Sequence, residues 1–112
     1  MKIVKNKIIP FKGYLAINLF GVLFVRSDAK RELNEYDINH ETIHTEQMKY
    51  MLYIFFYIWY GIEWLIKLFV YLNGHKAYRN VSFEREAYEN ERNLAYPRWR
   101  EPYAWFKYIK RK

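Results

Sequence analysis

The chain contains no cysteine. That excludes a disulfide framework and any thiolate metal site, so a metal could be held only by histidine and carboxylate. Acidic residues are missing from the start: none precedes Asp28, whereas Lys2, Lys5, Lys7, Lys12 and Arg26 all do. The same stretch lacks an apolar run of signal-peptide length ahead of Pro10 and Lys12, so no export is expected. The expectation is a cytoplasmic protein, with attachment to the inner face of a membrane as an option and an integral span as the less favoured one. Internal repeats, low-complexity tracts and interdomain linkers are also lacking. A chain of 112 residues supports one core and not two, so a single domain over 1–112 is expected.

Aromatic side chains, by contrast, are abundant. They make up 21% of the chain beside 28% charged residues, which excludes disorder because the apolar area can offset chain entropy. The net charge of +7, with Lys107, Lys110, Arg111 and Lys112 in the tail, favours anionic surroundings. A plainer reading is that it keeps a very aromatic chain soluble. From residue 96 to 112, Tyr and Trp alternate with Arg and Lys, as in a segment that stacks on bases and binds phosphates. Aromatics are dense everywhere here, so nucleic acid is not the expected partner.

Residues 1–27 read as strand and turn. Residues 3–9 form a short apolar and basic run that stops at Pro10. Runs 14–20 and 22–26 are β-branched and aromatic on either side of Gly21, which predicts a hairpin or a bulged strand. Residues 28–34 read as a loop or short helix. Asp37 is the predicted N-cap of a helix running through at least Trp59, with Gly61 as the break. A return helix over 62–72 is stopped by Asn73-Gly74. Ser82 is predicted to cap a third helix that reaches about Leu94 and is ended by Pro97. A last short helix is expected near Glu101-Pro102. The fold class that follows is α+β and mainly helical.

The informative stretch is His40-Glu41-Thr42-Ile43-His44, which uses two of the three histidines in the chain. Histidines four apart on a helix share one face, so both imidazoles can reach one ion. Glu41 sits beside the first, placed to take a proton from a metal-bound water. The ordinary alternative is a pair of hydrogen-bonded core histidines. A catalytic zinc takes a third protein ligand and keeps one open position. The candidates for that third ligand are His75, Glu63, Glu84 and Glu86. A helix from His44 to Tyr60 carries the chain about 24 Å away, which leaves Glu63 at the far end. If the chain reverses at Gly61, residues 62–72 return about 15 Å and 73–83 cover the rest, so Glu84 arrives near His44. Phe83, Ala87 and Leu94 mark an apolar stripe. Glu84 lies beside it and Glu86 lies about 200° away, which favours Glu84. His75 follows a glycine in a loop and is the weaker candidate.

Followed downstream by Phe83-Glu84-Arg85-Glu86-Ala87-Tyr88, this motif resembles the gluzincin branch of the zinc metallopeptidases. It is most similar to the minimal minigluzincins and to the HtpX and CAAX-prenyl peptidase type. The resemblance covers the two motif helices only. It implies a zincin-like minimal domain with zinc held by His40, His44 and Glu84, and with Glu41 as general base. It also implies hydrolysis of a peptide bond in a peptide or protein substrate. In those families a rim strand above the motif helix binds substrate as an added strand, and residues 14–26 look like its counterpart. The departure is Tyr88, where the families carry an acidic residue that buttresses a ligand histidine. A phenol still offers one hydrogen bond, and Glu91, one turn further along, is the other candidate for that role. Tyr78, Arg79 and Tyr88 are the only candidates for stabilising an oxyanion, and ordinary packing is their simpler reading.

Residues 50–62 carry no charge, and 64–72 carry only Lys67. A continuous span over 50–72 is long enough for a bilayer, but it contains Glu63 and Lys67 and many Tyr and Trp residues, which favour interfaces. A straight helix to Leu72 ends about 42 Å beyond His44, further than residues 73–83 can recover, so a span and the Glu84 site exclude each other. A helical hairpin is therefore expected. Its aromatic face would be buried internally, in a homodimer, or against a membrane surface. The rival functions are a non-catalytic metal-binding module and a membrane-surface interaction module of the same fold.

Overall fold

A computed structural model describes residues 2–9, 14–29 and 31–109. The strand stop at Pro10, Lys12 and the basic tail Lys110, Arg111 and Lys112 lie outside the described residues. Among the described residues the fold is α+β and mainly helical, with a small N-terminal sheet followed by helices. The strands are β1 (Lys2–Asn6), β2 (Ala16–Leu19) and β3 (Val22–Arg26). The helices are α1 (Glu35–Lys49), α2 (Ile54–Tyr71), α3 (Gly74–Arg79), α4 (Ser82–Asn90) and α5 (Tyr96–Trp99), and a 3-10 turn covers Ala104–Tyr108.

The expected hairpin is β2–β3, closed by Phe20 and Gly21 with φ of 54° and 89°. Two consecutive left-handed residues make the primed turn whose twist suits a two-residue hairpin, which is why a glycine stands there. The strand β3 is central, antiparallel to β2 and parallel to β1. The edge strand β2 is seated on α1 by Asn18, whose amide donates to Glu41 O and to Thr45 Oγ1, both at 2.9 Å. Leu15 O accepts from Arg26 N, so by antiparallel alternation Ala16 and Asn18 turn their backbone groups to the outer edge. Asn18 O there accepts from the Tyr57 hydroxyl at 3.0 Å.

The helix α1 begins earlier than expected. Asn34 is the cap and accepts from the N–H groups of Tyr36 and Asp37 at 2.9 Å, while Asp37 accepts from Asn34 N at 3.0 Å. Asp37 is thus the inner member of a capping box and not the cap itself. The reversal is also displaced. It falls between α1 and α2, where Leu52 and Tyr53 adopt φ of 52° and 58°, and Gly61 lies inside an unbroken α2. A helical glycine costs only about 1 kcal/mol, less than the burial of the aromatic side chains that α2 lays on the core.

The stop of α2 is Leu72, which takes the left-handed position at φ 54°, and not Asn73-Gly74; Asn73 is extended and caps α3 by accepting from Lys76 N at 2.9 Å, and Gly74 is the first residue of α3. His75 is accordingly helical rather than in a loop. Ser82 is the first residue of α4, not its cap. The cap is supplied from α2: the buried Glu63 carboxylate accepts Ser82 N–H at 2.7 Å and Ser82 Oγ–H at 2.6 Å. A carboxylate at that point also meets the positive end of the helix dipole. The helix α4 stops at Asn90, short of Leu94, which is exposed, and Pro97 lies in the first turn of α5 instead of ending a helix. The helix expected near Glu101-Pro102 is the 3-10 turn.

The core gathers Met48, Phe56, Val81, Phe83 and Trp105, with Ile43, Ala87 and Tyr96 in a second cluster. Because α4 is enclosed on both sides, Glu86 is fully buried and does not face outward as its angular separation from Glu84 suggested. Arg100 meets it with two bonds of 2.6 and 2.8 Å, and Tyr96 Oη and Gln47 Nε2 donate at 2.7 and 2.9 Å. A buried carboxylate is tolerated when its charge is paired and its lone pairs are filled in this way.

Candidate metal centre

The helix α1 places His40 and His44 one turn apart on its inner face, and α4, packed against α1, brings Glu84 between them. All three side chains are buried. Glu84 Oε1 lies 3.0 Å from His40 Nε2 and 2.9 Å from His44 Nε2, and the two Nε2 atoms are 3.2 Å apart.

The far side of each ring decides what these nitrogens can do. His40 Nδ1 lies 2.8 Å from Glu91 Oε1, a carboxylate that can only accept, so Nδ1 carries the proton. His44 Nδ1 lies 2.8 Å from Gln47 Oε1. The orientation of that amide is forced, because Gln47 Nε2 donates to Phe83 O at 3.1 Å and to Glu86 Oε1 at 2.9 Å. His44 Nδ1 therefore donates too. With each Nδ1 carrying a proton, it is the Nε2 atoms that face the shared carboxylate oxygen, so without a proton or cation between them three electron-rich atoms would face one another. A proton can relieve one edge of that triangle. A cation relieves all three. For metal–ligand bonds of about 2.0–2.1 Å, tetrahedral ligands lie about 3.3 Å apart, close to the observed edges. Glu84 Oε2 is held by the Tyr60 hydroxyl at 2.8 Å, which leaves Oε1 for the centre.

The charges agree with this arrangement. Burial alone would lower the His44 pKa, but the Glu84 carboxylate outweighs it and raises the value to about 9. Burial would raise Glu84, and His44 and His40 instead hold it well below the usual carboxylate range. In the metal-free protein a proton thus occupies the centre, and a metal ion would displace it.

No family model matches the chain, and no curated protein or solved structure is significantly similar to it. The site rests on its own geometry. His40, His44 and Glu84 form a buried group that could hold a metal ion.

Glu41 is half-buried and lines a cleft of about 810 Å³ together with His44, Glu84, Tyr60, Tyr78 and Tyr88. Burial raises its pKa, with His44 and His40 pulling it partly back. Glu91 is the residue bonded to His40. Tyr88 packs its ring edge-on against His40, centroids 4.4 Å apart, and bonds its hydroxyl to that of Tyr78 at 2.5 Å. The Arg79 guanidinium sits 3.7 Å over the Tyr88 ring. Glu63 and Glu86 are committed to Ser82 and Arg100, and His75, though beside the cleft, is outside the group of three.

Sequence reasoning missed Gln47, Tyr60 and Asn39. Gln47 carried a signal, since it lies one turn beyond His44 on the same helix face. Asn39 donates to Glu91 O at 2.7 Å and Asn93 O at 2.9 Å, gathering the end of α4 so that Glu91 meets His40. Neither Asn39 nor Tyr60 is distinguishable without the packing of α1 against α2 and α4.

Proposed function

We propose that this chain is a zinc-dependent peptidase of the gluzincin type that hydrolyses a peptide bond in a peptide or protein substrate. The observation that carries the reading is the triangle of Nε2, Nε2 and Oε1 donors with both Nδ1 atoms tied off, lying beside Glu41 at one cleft. Two imidazoles and a carboxylate are a donor set that zinc accepts, and the spacing of Glu41 between the histidines is that of a hydrolytic site. Bound zinc supplies Lewis acidity toward a carbonyl oxygen and lowers the pKa of water to about 7.

The chain supplies the rest. Glu41 takes a proton from the attacking water and passes it to the leaving amine. Tyr78 and Tyr88 share one hydrogen bond between two hydroxyls, so one O–H is left to donate to the developing oxyanion. The outer edge of β2, at Ala16, offers a backbone N–H and C=O to an extended substrate as an added strand. The Tyr57 hydroxyl on Asn18 O confines that strand to the N-terminal half of β2. Met48, Phe56, Tyr57 and Trp64 give the cleft an apolar lining, which favours apolar side chains in the substrate.

The test is Glu41→Gln against a peptide library. The variant is expected to keep its metal and to lose hydrolysis by about 10²-fold or more. Full activity in the variant rejects Glu41 as the base. Metal binding without cleavage by the wild type leaves a non-catalytic metal module, and iron in place of zinc on elemental analysis overturns the zinc assignment.

A further inference from the structure

The helix α2 is built inside out. From Tyr57 to Lys67 its hydrogen-bonding side chains turn to the rest of the molecule. Tyr57 reaches Asn18 O, Tyr60 reaches Glu84, Glu63 caps α4, Trp64 Nε1 donates to Gly74 O at 3.1 Å, and Lys67 Nζ donates to Asn80 O at 2.6 Å. Even Trp59, near the boundary, sends its indole N–H inward to Glu63 Oε2 at 2.9 Å.

The outward face carries no charge at all. At 3.6 residues per turn, the exposed positions Phe55, Ile58, Ile62, Leu65, Phe69 and Leu72 repeat every three or four residues, and Ile54, Ile66 and Val70 widen the stripe to an arc of about 180°. Phe69 and Leu72 are 74% and 83% exposed. Phe106, exposed beside Trp59 with centroids 6.5 Å apart, extends the patch sideways. Water-facing helices have the opposite polarity, and an apolar surface of this extent marks an interaction site.

We infer that α2 lies flat on an anionic lipid bilayer with its outward face among the acyl chains. Two observations favour lipid over a second copy of the chain. A two-helix seam covers a narrow stripe with charged side chains along both sides, whereas here the full half-cylinder is apolar along the length of the helix, which suits a continuous apolar phase. The chain is also cationic, with a net charge of +7. Lys76 is exposed next to the C-terminal end of α2, its amine 5.4 Å from the centre of the Tyr71 ring. Such placement suits anionic headgroups at the edge of a buried apolar face. A transverse orientation is excluded by what α2 carries. Its inner face holds α3 and the metal helices, so exposed Lys49, Lys76 and Arg79 would enter hydrocarbon with it. This inference does not depend on catalysis or on bound metal.

The experiment is co-sedimentation of the purified full chain with phosphatidylcholine vesicles containing phosphatidylglycerol, beside the double variant I62E/F69E. Wild type is expected in the vesicle pellet, with weaker binding to phosphatidylcholine alone. The variant is expected to partition about tenfold less or weaker still, with an unchanged circular dichroism spectrum. Brominated acyl chains supply a readout that needs no variant, since they are expected to quench tryptophan emission of the bound wild type. Equal binding of the variant, or absence of quenching, overturns the inference. Wild type that ignores vesicles but sediments as a dimer without lipid also overturns it and assigns the face to a second copy.

Discussion

His44 illustrates how much of the site depends on single proton positions. Gln47 holds Nδ1 as a donor, so everything that binds at Nε2 competes with one further proton. In the metal-free protein burial opposes that proton, but Glu84 prevails and raises the His44 pKa to about 9, against 6.5 for an unperturbed histidine. The folded metal-free chain therefore holds more protons than the unfolded chain between those values. The stability from this pair is fully present between about pH 4.5 and 6.5; it is lost as pH rises through about 9, and it is lost again in acid as the depressed Glu84 carboxylate takes up its proton. Metal binding runs the opposite way, because the ion must displace the proton. Affinity is expected to increase with pH up to about 9, with proton release at pH 7. Calorimetry in buffers of different ionisation enthalpy measures that release. A binding heat independent of buffer would show that no proton leaves.

At the scale of elements, α1, α2 and α4 are held by contacts between helices as much as by their own sequences. The cap of α4 is a glutamate from α2, and the orphan carbonyls at the end of α4 are collected by Asn39 from α1. The return of the chain is made at Leu52 and Tyr53, both non-glycine residues in the left-handed region, where each costs on the order of 1 kcal/mol. Gly61, the residue best suited to such a turn, is left in mid-helix on the outward face, and an added Cβ there meets nothing within 4 Å. Gly61→Ala is thus expected to stabilise the protein by about 1 kcal/mol, read from the urea midpoint at unchanged slope. A destabilised variant would place the helix break at Gly61 after all.

For the molecule as a whole, His40 and His44 meet Glu84 across the core and so join α1 to α4, and an ion bound by all three is expected to couple its binding to folding. Zinc at about 1,000 times its Kd is expected to add roughly 4 kcal/mol to stability, a rise in Tm on the order of 15 °C over the chelator-treated protein. His44→Ala and Glu84→Ala should abolish that rise, and differential scanning calorimetry with and without chelator measures it. A metal-independent Tm in the wild type would sever the link between this site and the fold.

The sequence alone determined the features that depend on local geometry. The spacing of His40 and His44 is fixed by the helical repeat, Gly21 marks the hairpin, Asn73-Gly74 marks the junction between two helices, and Glu84 is favoured over Glu86 once the chain doubles back. Tertiary structure decided where it doubles back, that Glu86 is buried against Arg100, and that Glu91 orients His40 while Tyr88 packs on it. The reason is that helix breaks and buried charges are settled by competition. Penalties of about 1 kcal/mol for a glycine in a helix or a strained turn are smaller than the burial of one aromatic side chain, and that burial is a property of the partners a residue meets.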